Sequence, residues 1–215
     1  MRIILLTGFS SGLGQALHHT LLINNRRDRL VFLGRKKQKN TQSASYLYAD
    51  LSDKNYQWLN DTTWDCYAGD ILLINNAGTV LPVGNLPDIA CETMEQNIYI
   101  NLLSPMKLIA ILATVANKLK IINISSGAAN APIHYWASYC AAKAGMKSFL
   151  NTIELEENIT VVHIDPGVLD TKMQEDIRRH ASRYQELEYF VNLKLENKLR
   201  KTSEVADKIY RDYIE

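Results

Sequence analysis

Arg2-Ile3-Ile4-Leu5-Leu6-Thr7-Gly8-Phe9-Ser10-Ser11-Gly12-Leu13-Gly14 is an apolar run of strand character that passes directly into a turn carrying three glycines. A helix-like segment, 15–24, follows. Glycines between a strand and a helix let the backbone approach a pyrophosphate closely, and the free N–H groups of the helix start favour its negative charge. The spacing Gly8-x3-Gly12-x-Gly14 is not the GxGxxG of the commoner dinucleotide fingerprint. A lone glycine cluster is weak evidence, but one directly behind a buried-type strand weighs more.

Working outward, further apolar runs fall at 29–33, 71–74, 120–124 and 159–164, most of them rich in Ile, Leu or Val. Such runs suit parallel strands covered on both faces. Helical patterns lie between several of them, notably 92–119 and 138–155. The expected fold is a Rossmann-type, doubly wound α/β sheet in a single domain, 1–215, with helices on both faces. In such sheets ligands bind beyond the carboxyl ends of the strands. Gly8 to Gly14, Asn76 to Gly78, Ser125-Ser126 and Pro166-Gly167 each follow an apolar run directly, so four motifs converge on one crevice.

Tyr139 and Lys143 stand four residues apart in Ser138-Tyr139-Cys140-Ala141-Ala142-Lys143, with Ser126 thirteen residues before Tyr139. At i and i+4 a phenol and an ammonium share one helix face, so the cation can favour proton transfer from the phenol. Lowering a phenol from about 10 to about 7 takes roughly 4 kcal/mol, which a partly desolvated ammonium could supply. Alone, the pair reads better as an ordinary helix surface.

Together these residues resemble the short-chain dehydrogenase/reductase family over nearly the whole chain. The resemblance rests on Thr7-Gly8-x3-Gly12-x-Gly14, Asp50-Leu51, Asn75-Asn76-Ala77-Gly78, Asn101, Ile124-Ser125-Ser126, Tyr139-x3-Lys143 and Pro166-Gly167-x3-Thr171. Ser125 to Ala129, Trp136 to Cys140 and Pro166 to Gln174 are similar to the sepiapterin reductase and benzil reductase branch. The resemblance implies an NAD(P)-dependent oxidoreductase acting on C=O and CH–OH groups.

It also implies roles for particular residues. Ser126 would hydrogen-bond the substrate carbonyl, Tyr139 would donate the proton, and Lys143 would hold the nicotinamide ribose and favour the tyrosinate. Asn101 would anchor a water that passes protons to Lys143; a helix-interior amide tied to backbone is its alternative. Gly8, Ser10, Ser11, Gly12, Leu13, Gly14, Leu51, Asn76, Ala77, Gly78, Pro166, Gly167, Val168 and Thr171 would line the cofactor site. Asp50 would accept from the adenine amino group, with a turn role in Ala49-Asp50-Leu51-Ser52-Asp53 as the alternative. After the second strand stand Gly34-Arg35-Lys36-Lys37, with no carboxylate to bind a ribose 2′-OH, so Arg35 favours NADP(H), with NAD(H) possible. Ser11 departs from the second basic residue common in NADP-dependent relatives.

Three other groups of residues draw the eye. His18 and His19 lack a spaced partner, so no metal site is expected. His134, Tyr135 and Trp136 should wall the substrate pocket, or simply pack. Cys140, next to Tyr139 on the helix, points off the catalytic face and is expected to be buried.

Composition fits a compact enzyme: 215 residues, 47% hydrophobic, with 24 basic and 23 acidic residues giving a net charge of +1. That balance offers no general attraction to nucleic acid or acidic membranes. No apolar stretch reaches the roughly 20 residues of a bilayer span, and the start is a strand and not a signal-type segment. Three scattered cysteines, Cys66, Cys91 and Cys140, suit a reducing compartment, so the expected location is cytoplasmic.

The segment at about 174–200 has the look of a substrate lid, and 204–213 that of a final amphipathic helix. Family members commonly add one more strand, and none is expected after Tyr213. A homodimer built on the two long helices is therefore the expected assembly. Lys198 to Ser203 offers no carboxylate to anchor a pterin, which leaves small dicarbonyls or aromatic ketones as substrates. The alternatives are a non-catalytic NADP(H)-sensing regulator and a reductase of acyl or steroid ketones.

Overall fold

The computed structural model describes residues 2–25, 27–180 and 183–215. Its elements are β1 (Ile3–Thr7), α1 (Gly12–Asn24), β2 (Arg29–Gly34), β3 (Ala44–Tyr48), α2 (Gln57–Asn60), β4 (Gly69–Asn75), α3 (Cys91–Ile98) and α4 (Ser104–Val115). They continue as β5 (Ala116–Ile124), α5 (Ala137–Ile153), β6 (Ile159–Ile164), α6 (Lys172–Arg179), α7 (Glu188–Leu195) and α8 (Thr202–Ile209). The strands form one parallel sheet in the order β3-β2-β1-β4-β5-β6. Strand order reverses between β1 and β4, which opens a crevice at their carboxyl ends.

Alternation along the strands builds a core on each face. Leu5, Val31, Leu73 and Ile121 pack with Leu108 and Leu112 of α4 and Met146 and Leu150 of α5. Ile4, Leu6, Phe32, Leu72 and Ile122 face the other way, onto Leu13, Leu17 and Leu21 of α1 and Val205 and Ile209 of α8. Both sides of each central strand are therefore dry, which is why the sequence reads there as unbroken apolar runs. Each such side chain contributes about 1.5–3 kcal/mol on burial.

All five expected strands are present, and the structure adds β3 at the sheet edge, in register with β2. Its sequence, Ala-Ser-Tyr-Leu-Tyr, is mixed because most of the strand is only half-buried. The helix expected at 92–119 ends at Val115, and Ala116 to Leu119 instead begin β5. Those last residues extend the sheet because they pair with Gly69–Ile71 of β4. A π-helical turn, Tyr99–Leu103, joins α3 and α4 into one helix, Cys91–Val115. By length and composition that helix could cross a membrane, which counting uninterrupted apolar residues had missed. Here Leu108, Ile109 and Leu112 are spent on the core.

A polar ladder crosses the sheet one residue below its carboxyl rim. Asn75 Nδ2 donates to Asn123 Oδ1 at 2.9 Å, Asn123 Nδ2 meets His163 Nδ1 at 3.2 Å, and His163 Nε2 meets Asn151 Oδ1 of α5 at 2.9 Å. Asn75, Asn123 and His163 are also register partners on β4, β5 and β6.

Candidate active site

The turns after β1 and β4 are bound to one another. Thr7 Oγ1 accepts from the N–H groups of Asn76 and Ala77 at 3.0 Å each, and Asn76 Nδ2 donates to the carbonyls of Thr7 and Gly8 at 2.9 and 3.2 Å. Gly8 has φ +72° and Gly12 has φ +54°, in the left-handed region open to glycine. A Cβ on Gly14 would lie 2.0 Å from Gly8 O, so only a bare backbone fits there. The Ser11 side chain makes no capping bond to α1. This cradle of unbranched backbone ending at a helix start suits a diphosphate.

A single cleft of about 700 Å³ runs from the cradle in both directions. It is lined by all the residues expected at the cofactor site: Gly8, Ser10 to Gly14, Arg35, Asp50, Leu51, Asn76 to Gly78, Tyr139, Lys143, Pro166 to Val168 and Thr171. Asp50 takes the turn role that was its alternative. It lines the cleft, and its Oδ1 accepts from Ser52 N at 3.0 Å and Ser52 Oγ at 2.7 Å. Shape, size and a backbone cradle together fit a nicotinamide dinucleotide.

At the other end Ser126, on the turn after β5, and Tyr139 and Lys143, on α5, line the same space. Ser126 Oγ accepts from Ala128 N at 3.2 Å. Ser125 is buried and also borders the cleft. Lys143 Nζ donates to Ile124 O at 3.0 Å and lies 5.7 Å from the centre of the Tyr139 ring.

Burial pushes the Tyr139 phenol up to about 12, against a smaller lowering by its hydrogen bond to Ser126. Burial thus acts on this phenol in the direction opposite to that expected from its lysine. Lys143 does not offset the loss of solvent, because it is itself buried and its ammonium is drawn down to about 8. Desolvation disfavours the charged form of each group, so Tyr139 is held as a neutral phenol and retains its proton.

Asn101 sits in the π-helical turn, buried, where both ends of its amide are engaged. Oδ1 accepts from Thr79 N at 3.0 Å, while Nδ2 donates to the carbonyls of Thr79 and Asn97 at 2.8 and 3.0 Å. The backbone-tied alternative is realised, and it fixes the chain beside Gly78, whose Cβ would fall 2.8 Å from Asn101 Oδ1 and 3.9 Å from Lys143 Nζ.

Part of the cleft lining is apolar. Val80, Leu81, Ile133, Trp136, Met173, Ile177 and Phe190 make up this part. Trp136 is buried, stacked on Phe190 with centroids 5.3 Å apart and edge-on to Tyr139 at 5.7 Å, so it packs and lines at once. His134 and Tyr135 instead border a neighbouring depression, together with Cys140, which is half-buried and not buried as expected. Of the segment expected as a lid, 181–182 lie outside the described residues; the rest carries most of α6 and all of α7, and Tyr135 Oη donates to Glu186 Oε2 at 2.6 Å while Arg183 pairs with Asp88 at 3.0 Å. Val80, Met173, Phe190 and Asp165 were not foreseen. Only Asp165, directly before Pro166-Gly167 on the rim, carried a positional signal. Among the described residues no cluster of His, Cys, Asp and Glu could hold a metal ion.

This cleft, on this sheet, defines a nicotinamide-dependent oxidoreductase. The chain belongs to the short chain dehydrogenase family, which it matches over residues 2–182. It is 33% identical to a benzil reductase ((S)-benzoin forming) of Bacillus cereus over 97% of this chain and 92% of that protein. A Bacillus subtilis benzil reductase is 31% identical over 96% and 90%. Sepiapterin reductase of Xenopus laevis is 33% identical over 49% of this chain and 43% of its own length. Among solved structures, the KRED1-Pglu enzyme superposes with a TM-score of 0.83 at 24% identity, covering 96% of this chain and 92% of that one.

Proposed function

We propose that the protein is an NADPH-dependent carbonyl reductase of small aromatic ketones and 1,2-dicarbonyls. The observation that carries this reading is the convergence of Ser126, Tyr139 and Lys143 in the cleft that also holds the glycine cradle, against a wall of Trp136, Met173 and Phe190. The likeness to benzil reductases supports the substrate class.

When bound, the reduced nicotinamide supplies the hydride. Ser126 Oγ donates to the carbonyl oxygen and holds it beside the Tyr139 hydroxyl. As negative charge grows on that oxygen, Tyr139 transfers its proton to it, giving the alcohol. A phenol held well above its ordinary value keeps this proton across the working pH range. The Lys143 ammonium stabilises the tyrosinate left behind. The apolar wall excludes water and accepts an aromatic ring.

Arg35 at the adenosine end, with no carboxylate at 35–37, supports NADP(H) over NAD(H). Half-exposed Leu103, Met106 and Phe149 on α4, α5 and the turn before α4 support a homodimer through these helices. Free cysteines at 66, 91 and 140 support a reducing, cytoplasmic setting.

The test is loss of absorbance at 340 nm with NADPH or NADH against benzil, other diketones, quinones and pterins, in wild type and Tyr139→Phe. NADPH-dependent turnover that disappears in the variant is expected. Binding of NADPH without turnover of any compound would replace this reading with a cofactor sensor.

A further inference from the structure

One charged group in the cleft has no part in the scheme above. Asp165 follows β6 directly and lines the cleft beside Ser126, Gly127 and Tyr139. Its Oδ1 accepts from Gly167 N at 2.9 Å, which fixes the carboxylate. Its Oδ2 lies 3.7 Å from where a Cβ on Gly127 would stand, so it is turned toward the turn that carries Ser126. The residue is exposed to the cleft, and among the described residues no Lys, Arg or His pairs with it.

The other charges of the cleft are disposed differently. Lys143 is buried and donates inward to Ile124 O. Asp176 is occupied by Arg179 at 3.1 Å. Lys172 begins α6, next to Thr171, whose Cγ2 lies 3.2 Å from a Cβ on Gly12, at the diphosphate end. Arg35 and Asp50 stand toward the adenosine end. Around the carbonyl site the lining is otherwise uncharged apart from the buried Lys143, so the exposed unpaired charge presented there is negative.

We propose that Asp165 is a specificity-determining residue that makes the pocket discriminate against ketones carrying a carboxylate next to the reacting carbonyl and select neutral ones. The inference rests on the reductase reading and names the charge of its substrate. Like charges brought into one cleft repel, and among the described residues no cation is bonded to Asp165 to neutralise it, Lys143 being buried and turned inward to Ile124 O. The carboxylate already acts on this spot, since it opposes ionisation of Tyr139 and favours the charged form of Lys143.

The experiment compares benzoylformate with its methyl ester, two aryl ketones that differ in one charge, using wild type and Asp165→Asn. Asparagine keeps the acceptor for Gly167 N. Wild type is expected to favour the ester in kcat/KM by at least 50-fold, and Asp165→Asn to shrink that preference at least tenfold, chiefly through KM of the acid. Calorimetric binding of both compounds to the NADP⁺-loaded protein gives a readout independent of turnover. Equal binding of acid and ester by wild type, or a preference unchanged in Asp165→Asn, would overturn the proposal. Preferential binding of the ester, abolished in the variant, with neither compound turned over, would uphold the charge filter while removing the reductase reading.

Discussion

Replacing Lys143 by methionine is expected to abolish turnover and at the same time to stabilise the ligand-free protein near neutral pH. Lys143 is 8% exposed, and its ammonium is drawn from 10.5 to about 8, chiefly by burial, partly countered by Asp165. That gap corresponds to about 3 kcal/mol spent on keeping the charge buried at pH 7. Methionine removes the charge at similar length, and losing the bond to Ile124 O gives back about 1 kcal/mol. The net gain is about 2 kcal/mol at pH 7.

Because the folded value lies below the unfolded one, the unfolded chain binds more protons between about pH 8 and 10.5, and wild-type stability rises through that window. By pH 9.5 about 2 kcal/mol of the cost is relieved, so the advantage of the variant falls to near zero. Tyr139 acts in the opposite sense only above its ordinary value of 10, where the folded chain holds the extra proton. Urea unfolding of both proteins at pH 7 and pH 9.5 checks this. A stability difference identical at the two pH values would refute the argument that a buried ammonium is strained here.

Four further outcomes are expected. Tyr139→Phe lowers kcat by about 10²–10⁴-fold, the usual share of a general acid, with NADPH affinity by fluorescence titration little changed. Gly14→Ala drives a Cβ to 2.0 Å from Gly8 O, and is expected to destabilise by about 1–3 kcal/mol and to weaken both dinucleotides at least tenfold in calorimetry. Arg35→Glu places a carboxylate at the ribose and reverses the ratio of kcat/KM for NADPH and NADH. Phe149→Arg puts a charge on the proposed helix-pair interface, and sedimentation should then give a monomer where wild type gives a dimer.

The sequence carried the scaffold because its central strands are dry on both faces and its motifs sit at their ends. Gly14, Asn76, Ser126, Tyr139 and Lys143 each have a chemistry that their neighbours specify, so they could be read from the chain alone. β3 could not, since an edge strand with one half-wet face mixes Ser and Tyr with Leu and loses the apolar signature. The end of the long helix was misplaced because Ala116 to Leu119 suit either state locally, and pairing with β4 decides. The burial of Tyr139 was not legible for a different reason: spacing reveals which charge stands nearby, but only packing reveals how much water is lost. Phe190 and Met173 reach the site through tertiary contacts of the lid, on which local pattern is silent.

The row of Asn75, Asn123 and His163 has a further consequence. Leu, Ile and Val rungs of a parallel sheet are nearly interchangeable, so strands sliding past one another by two residues would still present apolar faces. Such a slip would strand these amides against hydrocarbon without partners, an outcome costing about 1–3 kcal/mol for each group left unsatisfied. The row therefore works as a proofreading mark for strand alignment, one residue short of the rim. Because Asn76, the Ile124-Ser125-Ser126 turn and Ile164-Asp165-Pro166 follow it on β4, β5 and β6, aligning the marks brings the three loops level. The levelling of the three loops is thus set partly below the floor of the cleft, by residues that do not line it.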